Sequence, residues 1–163
     1  PPGINLVELN QYWLDQVNAL RAKKSLRLLT LDQRFIETAT EYAGYMGPNN
    51  VLDHSRIDGK TMHQWIDTKG LTFTVRYREG GWQTNYFTEN ISWNQIANNM
   101  TSAKAALDQT LTWMLAEASY NGAHFRTIYH ADWNTVGSGF YFKDLGNDNY
   151  KMYSVFHYGS LQK

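Results

Sequence analysis

The most constraining feature of this chain lies near its C-terminal end. Residues 136–142 and 150–158 form two runs rich in aromatic and β-branched side chains, separated by Gly146-Asn147-Asp148-Asn149. Such runs favour strands, and a Gly/Asn/Asp cluster between them favours a tight turn. A strand with one wet face alternates apolar with polar residues, but both of these runs are apolar on both faces. The pair therefore predicts an antiparallel hairpin at the centre of a sheet, covered by helices on each side.

Helical segments that can supply those covers are legible upstream. Leu6, Leu9, Trp13, Val17 and Leu20 recur at three- and four-residue steps, which predicts a helix over about 7–24. Thr30 and Gln33 have capping-box spacing, which places the start of a second helix near Thr30. Phe35, Ala39, Tyr42, Ala43 and Met46 line its face, and Gly47-Pro48 is its stop. A short helix over about 61–69 ends at Gly70. Residues 72–86 alternate partly, at Phe73, Val75 and Tyr77, and then reach the turn signal Gly80-Gly81. A strand over 87–93 and a helix over about 102–118, stopped by Asn121-Gly122, complete the series. The order is helices, strand, helix, hairpin, an α+β layered architecture rather than a βαβ repeat. The first and the long helix are expected on opposite faces of the sheet. No repeat, low-complexity tract or linker divides the 163 residues, so a single domain over 1–163 is expected.

Composition removes several function classes. The 15 basic and 15 acidic residues cancel, and the densest basic cluster (Arg21, Lys23, Lys24, Arg27) falls where the first helix ends and cations favour the helix dipole. Nucleic-acid binding therefore has little support. No stretch approaches the roughly 20 apolar residues of a bilayer span. With no cysteine, neither a disulfide framework nor a thiolate metal site is available. The chain opens Pro-Pro-Gly, which reads as a processed or excised domain, so any secretion signal or anchor would lie outside it.

The candidate reactive groups are then the five histidines and nearby carboxylates. His54 lies in Leu52-Asp53-His54-Ser55, His124 in Gly122-Ala123-His124-Phe125, and Glu89 in Thr88-Glu89-Asn90-Ile91. An imidazole titrates near neutrality, so it can act as base, acid or metal ligand. Two neutral imidazoles can share a divalent ion with water in the other positions, and a carboxylate beside each fixes its tautomer. Read from the residues alone, each histidine is as readily a hydrogen-bonded or surface residue. No HExxH, GxSxG or P-loop pattern occurs.

The ordered series Leu9-Asn10, Asn18-x-x-Arg21, Leu29-x-Leu31-Asp32, Ala39-x-x-Tyr42-Ala43-x-x-Met46, His54-Ser55, Glu89-Asn90-Ile91, Trp113, His124-Phe125 and Val136-Gly137-x-Gly139 resembles the CAP superfamily. These are the cysteine-rich secretory, antigen-5 and pathogenesis-related proteins and their bacterial relatives. The resemblance runs from Leu9 to Phe156. It implies a three-layer α-β-α sandwich with a central, mainly antiparallel sheet and a large cleft. It implies that His54, Glu89 and His124 line that cleft, that the two histidines hold a divalent metal, Zn2+ first, and that Asn90 holds backbone nearby. A second cleft glutamate carries over to Glu117, four residues after Trp113. This spacing departs from the family pattern, and a solvated helix-end residue is the alternative. Thr88 stands where the family commonly has glycine. The lack of cysteine resembles the bacterial branch. The insertion between His54 and Glu89 resembles Gram-positive cell-surface domains, including surface-exclusion proteins of conjugative systems.

Of the remaining histidines, His63 is expected at the surface and His157 beside the cleft or packed in the last strand, while His130 matches no motif. Tyr77, Trp82, Tyr86 and Trp93 are expected as core, rim or a recognition wall. The resemblance points to an extracellular or cell-wall-associated binding or adhesion module, with a surface ligand, a peptide or a lipid as its partner. The alternatives are a metal-dependent peptidase, with Glu89 and Glu117 as catalytic carboxylates, and a binder of apolar or lipid ligands.

Overall fold

The computed structural model describes residues 1–76, 78–79, 83–84 and 86–163, the strand residues 78–79 and 83–84 by backbone alone. Tyr77, Trp82 and the Gly80-Gly81 turn signal lie outside the described residues. Helix α1 (Leu6–Lys23) is capped by Asn5, whose side chain accepts from the N–H of Glu8. Strand β1 (Thr30–Leu31) follows, then α2 (Gln33–Asn49) and α3 (Met62–Asp67). Helix α3 has its full capping box, Thr61 with Gln64. A small antiparallel pair, β2 (Arg78–Glu79) and β3 (Gln83–Thr84), precedes the edge strand β4 (Phe87–Ala97). Helix α4 (Met100–Ala116) runs into a 3-10 turn (Glu117–Tyr120) and α5 (Ala123–Ile128), before the hairpin of β5 (Thr135–Gly146) and β6 (Asn149–Gly159).

The hairpin lies inside the sheet, as its two-sided apolar pattern predicts. The strand order is β1-β5-β6-β4, with β1 parallel to β5 and the other pairings antiparallel. Alternate residues of β6 serve the two faces. Met152, Phe156 and Tyr158 join Val136 and Phe140 under α1, α4 and α5 in one core. Tyr153 and Val155 join Ile91 under α2 on the other face. Helices thus cover both faces, but α1 and α4 share one face, contrary to the expected placement. The reason is in their stripes. Leu9, Trp13 and Val17 of α1 and Ala103, Ala106, Leu107 and Met114 of α4 bury against each other as well as against the sheet.

Helix α2 lies across the opposite face, with α3 packed beside it against Phe87, and glycine lets α2 come close. A Cβ on Gly139 would lie 2.0 Å from the Thr40 nitrogen, and one on Gly137 2.4 Å from the Ile36 nitrogen. The Val136-Gly137-x-Gly139 motif is therefore a landing strip for the α2 backbone. The start of α2 differs from expectation. Thr30 is drawn into pairing with Thr135, so Asp32 caps the helix instead, accepting from the N–H of Arg34 at 2.9 Å. At the other end α2 continues through Pro48 and closes on Asn50 at φ 53°.

Several other motif residues are structural pins. Asn10 donates to the Ser138 carbonyl at 3.1 Å and accepts from the Ser138 N–H at 2.9 Å, pairing with β5 as a backbone residue would. Asn18 does the same at Leu29, at 2.9 and 2.8 Å. Arg21 is wholly buried and donates to the carbonyls of Arg27, Ile128 and His130. It is not a solvated charge at a helix end but a clamp between α1 and α5, and burial lowers its pKa to about 10. Trp13 is also buried, stacked on Phe156 at 4.0 Å and donating to the Tyr158 hydroxyl at 3.1 Å.

Candidate functional site

The segment after α2 carries His54 and is tied down from two sides. The Tyr42 hydroxyl reaches the carbonyls of Asp53 and Ser55. Arg56 Nη1 donates to the His54 carbonyl at 2.8 Å. The Arg56 guanidinium lies 3.5 Å from the Tyr42 ring centroid and 4.2 Å from that of Trp65, a cation held between two aromatic faces. From there it grips Glu89 with two parallel bonds, Nη1 to Oε1 at 2.9 Å and Nη2 to Oε2 at 2.7 Å.

Glu89 projects from β4 on the α2 face, opposite His157 of β6. Its side chain is fully buried. His54 Nδ1 donates to Oε1 at 3.0 Å, and His157 Nε2 donates to Oε2 at 2.7 Å. Burial pushes the carboxyl up, but the bonds from His157, His54 and Arg56 outweigh it and hold Glu89 well below the usual carboxylate range. For His157 burial dominates and lowers its pKa, so the neutral imidazole is the resident form. With Nε2 bearing the proton, Nδ1 accepts from the Thr38 hydroxyl at 2.8 Å. Arg56 is thus the permanent counter-charge of Glu89.

His124 and Glu117 form a second unit on the connection between α4 and the hairpin. His124 Nδ1 donates to Glu117 Oε2 at 2.7 Å. The His124 N–H donates to Oε1 at 2.9 Å, and the Phe125 N–H reaches the same oxygen at 3.4 Å. Gly122 makes room, since a Cβ there would lie 2.4 Å from Oε1. Burial pushes Glu117 up, but His124 and these backbone donors bring it below its ordinary value. Glu117 is buried, not a solvated helix-end residue. Trp113, half exposed, sets its ring 4.8 Å from that of His124.

The structure therefore brings His54 to Glu89 and His124 to Glu117. Both imidazoles have Nδ1 on a carboxylate, and Nε2 of neither makes a hydrogen bond among the described residues. That is the arrangement in which a carboxylate fixes the orientation and tautomer of an imidazole. Both side chains reach solvent, at 38% and 24% relative exposure. Among the described residues no group of three His, Asp or Glu is placed to hold a metal ion. His54 and His124 each present one ring nitrogen that is not engaged by a described residue. Asn90 is buried and donates to the Glu89 carbonyl at 3.4 Å.

Sequence reasoning missed Arg56. A lone arginine in a loop reads as solvated, and its partner lies 33 residues away. The one available signal is its position two residues after His54. His63, expected at the surface, is buried, with Nε2 3.0 Å from the Phe87 carbonyl. His157 is both packed and bonded to the site. His130 stacks on Trp133 at 4.1 Å. Tyr86 is core, and Trp93 is half exposed.

Residues 14–158 match the family described as CAP, the cysteine-rich secretory protein family. Among solved structures, an outer surface protein from Borrelia burgdorferi is similar, with TM-score 0.67 and 21% identity over 98% of this chain and 97% of that one. The CAP domain of enterococcal PrgA gives TM-score 0.60 and 19% identity, over 96% of this chain and 63% of that one. An extracellular protein containing a SCP domain from Bacillus anthracis gives TM-score 0.55 and 17% identity, over 91% and 40%. Among curated proteins none matches the sequence.

Proposed function

The chain belongs to the cysteine-rich secretory protein (CAP) family, and from that membership we propose that it is an extracellular binding module whose site is the two histidine–glutamate units. No helix among the described residues is long and apolar enough to cross a membrane, which fits a surface or secreted module. Placement at a Gram-positive cell wall rests on the resemblance of the insertion between His54 and Glu89, and a role in binding or adhesion on the resemblance of the whole chain together with the lack of a nucleophile motif.

The observation that carries the proposal is the paired use of Nδ1. Glu89 and Glu117 each hold an imidazole with its Nε2 lone pair free, the state needed to accept a proton, a ligand donor or a divalent ion. His54 and His124 would hold the ion, zinc first, and it would supply a positive centre for an oxygen of the ligand. Glu89 and Glu117 orient. A peptidase reading needs a carboxylate open to water as its base. Here Glu89 is enclosed with both oxygens bonded, which favours binding over hydrolysis.

Calorimetric titration with zinc at two pH values tests the proposal. Affinity is expected to be weaker at the lower pH, because protons and metal compete for one lone pair. His54→Ala or His124→Ala removes most of it, and Glu89→Gln weakens it by roughly 10–100-fold. Equal affinity in wild type and His124→Ala overturns the histidine pair as the site. Cleavage of a peptide substrate that is lost in both histidine variants overturns the binding reading in favour of hydrolysis.

A further inference from the structure

Along the free edge of the sheet, Leu52, Trp93 and Trp113 are 48%, 49% and 54% exposed. All three line one open groove of about 430 Å³ beside β4, between the segment after α2 and helix α4. Three large apolar side chains left half wet in one concavity are a recognition feature, since scattered exposure would need no explanation. The volume is within the range of small-ligand sites, roughly 300–1,000 Å³.

Chemistry narrows the ligand. None of the residues lining the groove carries a charge, so its lining supplies no ion pair, and the neighbouring Lys151 ammonium is spent on the Trp93 and Tyr153 rings. Side-chain amides and hydroxyls supply the polar part. Asn94 donates to Gln109 at 3.3 Å, and the Thr110 hydroxyl donates to Asn94 Oδ1 at 3.1 Å. This network uses the Gln109 oxygen and leaves its NH₂ group toward solvent. Gln95 is exposed at the same groove. A fatty chain would leave these amides without partners, at a desolvation cost. A pyranose meets both demands: its C–H face packs on an indole, and its hydroxyls pair with amide donors and acceptors. Lys151 lies 4.2 Å from the Trp93 ring centroid, which braces that indole while half of its surface stays exposed. Trp113 is braced in turn by His124.

We infer that the groove walled by Trp93 and Trp113 is a binding site for a neutral oligosaccharide of about two or three sugar units. This site uses neither imidazole nitrogen nor a metal ion, so it stands apart from the histidine–glutamate reading.

Tryptophan fluorescence and calorimetry with chitotriose, cellotriose and maltotriose test it, each run with and without a chelator. At least one trisaccharide is expected to bind saturably, with the chelator having no effect. Trp113→Ala should weaken that binding about tenfold or more, the scale of one lost stacking contact. Gln109→Ala should weaken it less, and His54→Ala should leave it unchanged. Trp113 is exposed, so its variant should melt at the wild-type temperature. Three results overturn the inference: no trisaccharide saturates the protein, binding persists undiminished in Trp113→Ala, or palmitate or an uncharged peptide binds with the Trp113 dependence expected of the sugar.

Discussion

His54 and His124 both give Nδ1–H to a glutamate, but the two glutamates are stabilised by different means. Glu89 is wholly enclosed and depends on three side chains from distant parts of the chain: Arg56, His54 and His157. Glu117 keeps 8% of its side chain exposed and depends on residues no more than eight positions away, two of its donors being backbone N–H groups. A long-range charge network exists only when α2, the segment after it and the sheet have docked. A local loop needs little beyond its own turn, Asn121 at φ 53° followed by Gly122. One unit of the proposed site is thus coupled to global folding, and the other is a local module.

The sharpest way to break this comparison is Arg56→Met. It leaves Glu89 buried without its permanent counter-charge, and breaking one partner of a buried pair costs about 3–5 kcal/mol. For a domain of this size that lowers the melting temperature by about 6–20 °C. Among the described residues no arginine or lysine is shown paired with Glu117. A thermal melt of Arg56→Met within a degree of wild type would show that Arg56 is not what holds Glu89 ionised.

The dependence on pH comes next. His157 has a pKa lowered by burial, so below its ordinary value of 6.5 the unfolded chain takes up a proton that the folded chain refuses. Stability then falls as pH drops. Glu89 and Glu117 have folded pKa values below the ordinary 4.5. Their contribution is complete above that value and is lost as pH falls through the folded values. Denaturant titrations should show a shallow decline starting near pH 6.5 and a steeper one below about 4.5. His157→Gln should remove the first. A wild-type profile flat from pH 7 to 5 would contradict a neutral His157.

Which parts of this were legible in the sequence follows from the range of each interaction. The two-sided apolar hairpin predicted the sheet centre and helices on both faces, because its pattern is local and period-two. The placement of α1 against α4 was not legible. Each helix shows a stripe, but a stripe does not say which face of the sheet it meets. β1, with 2 residues, and α5, with 6, are too short for any periodicity to appear. At the site, His54, Glu89, His124 and Glu117 were named from motifs. Arg56, His157 and Thr38, which set the charge of Glu89, were not assigned that task. Their relation to it exists only across the register of β4 with β6 and the docking of α2.

A smaller effect is expected at the local unit. Glu117→Gln keeps the shape but exchanges charge-assisted bonds for neutral ones, and a bond to a charged group is worth about 1.5–3 kcal/mol at most. Partial exposure discounts this, so the loss should be about 1 kcal/mol, or a few degrees in melting temperature. A cost as large as that of Arg56→Met would remove the distinction between a local and a global half.

The smallest effect is also the most specific, because it reads the imidazoles themselves. In their neutral forms both His54 and His124 should carry the proton on Nδ1, since that nitrogen faces a carboxylate and a carboxylate only accepts. Nitrogen-15 spectra separate a protonated from an unprotonated ring nitrogen, so each ring should show a protonated Nδ1 and a bare Nε2. A glutamine at 117 can turn either its oxygen or its NH₂ toward the ring, so Glu117→Gln should let His124 populate both tautomers. His54, whose partner is untouched, should stay as it was. The free-energy difference between tautomers is small, yet it sets which nitrogen is offered to a ligand. If His124 keeps a single tautomer in Glu117→Gln, its orientation comes from the Trp113 contact and not from the carboxylate. The two halves of the site would then differ in kind, not only in the range of their interactions.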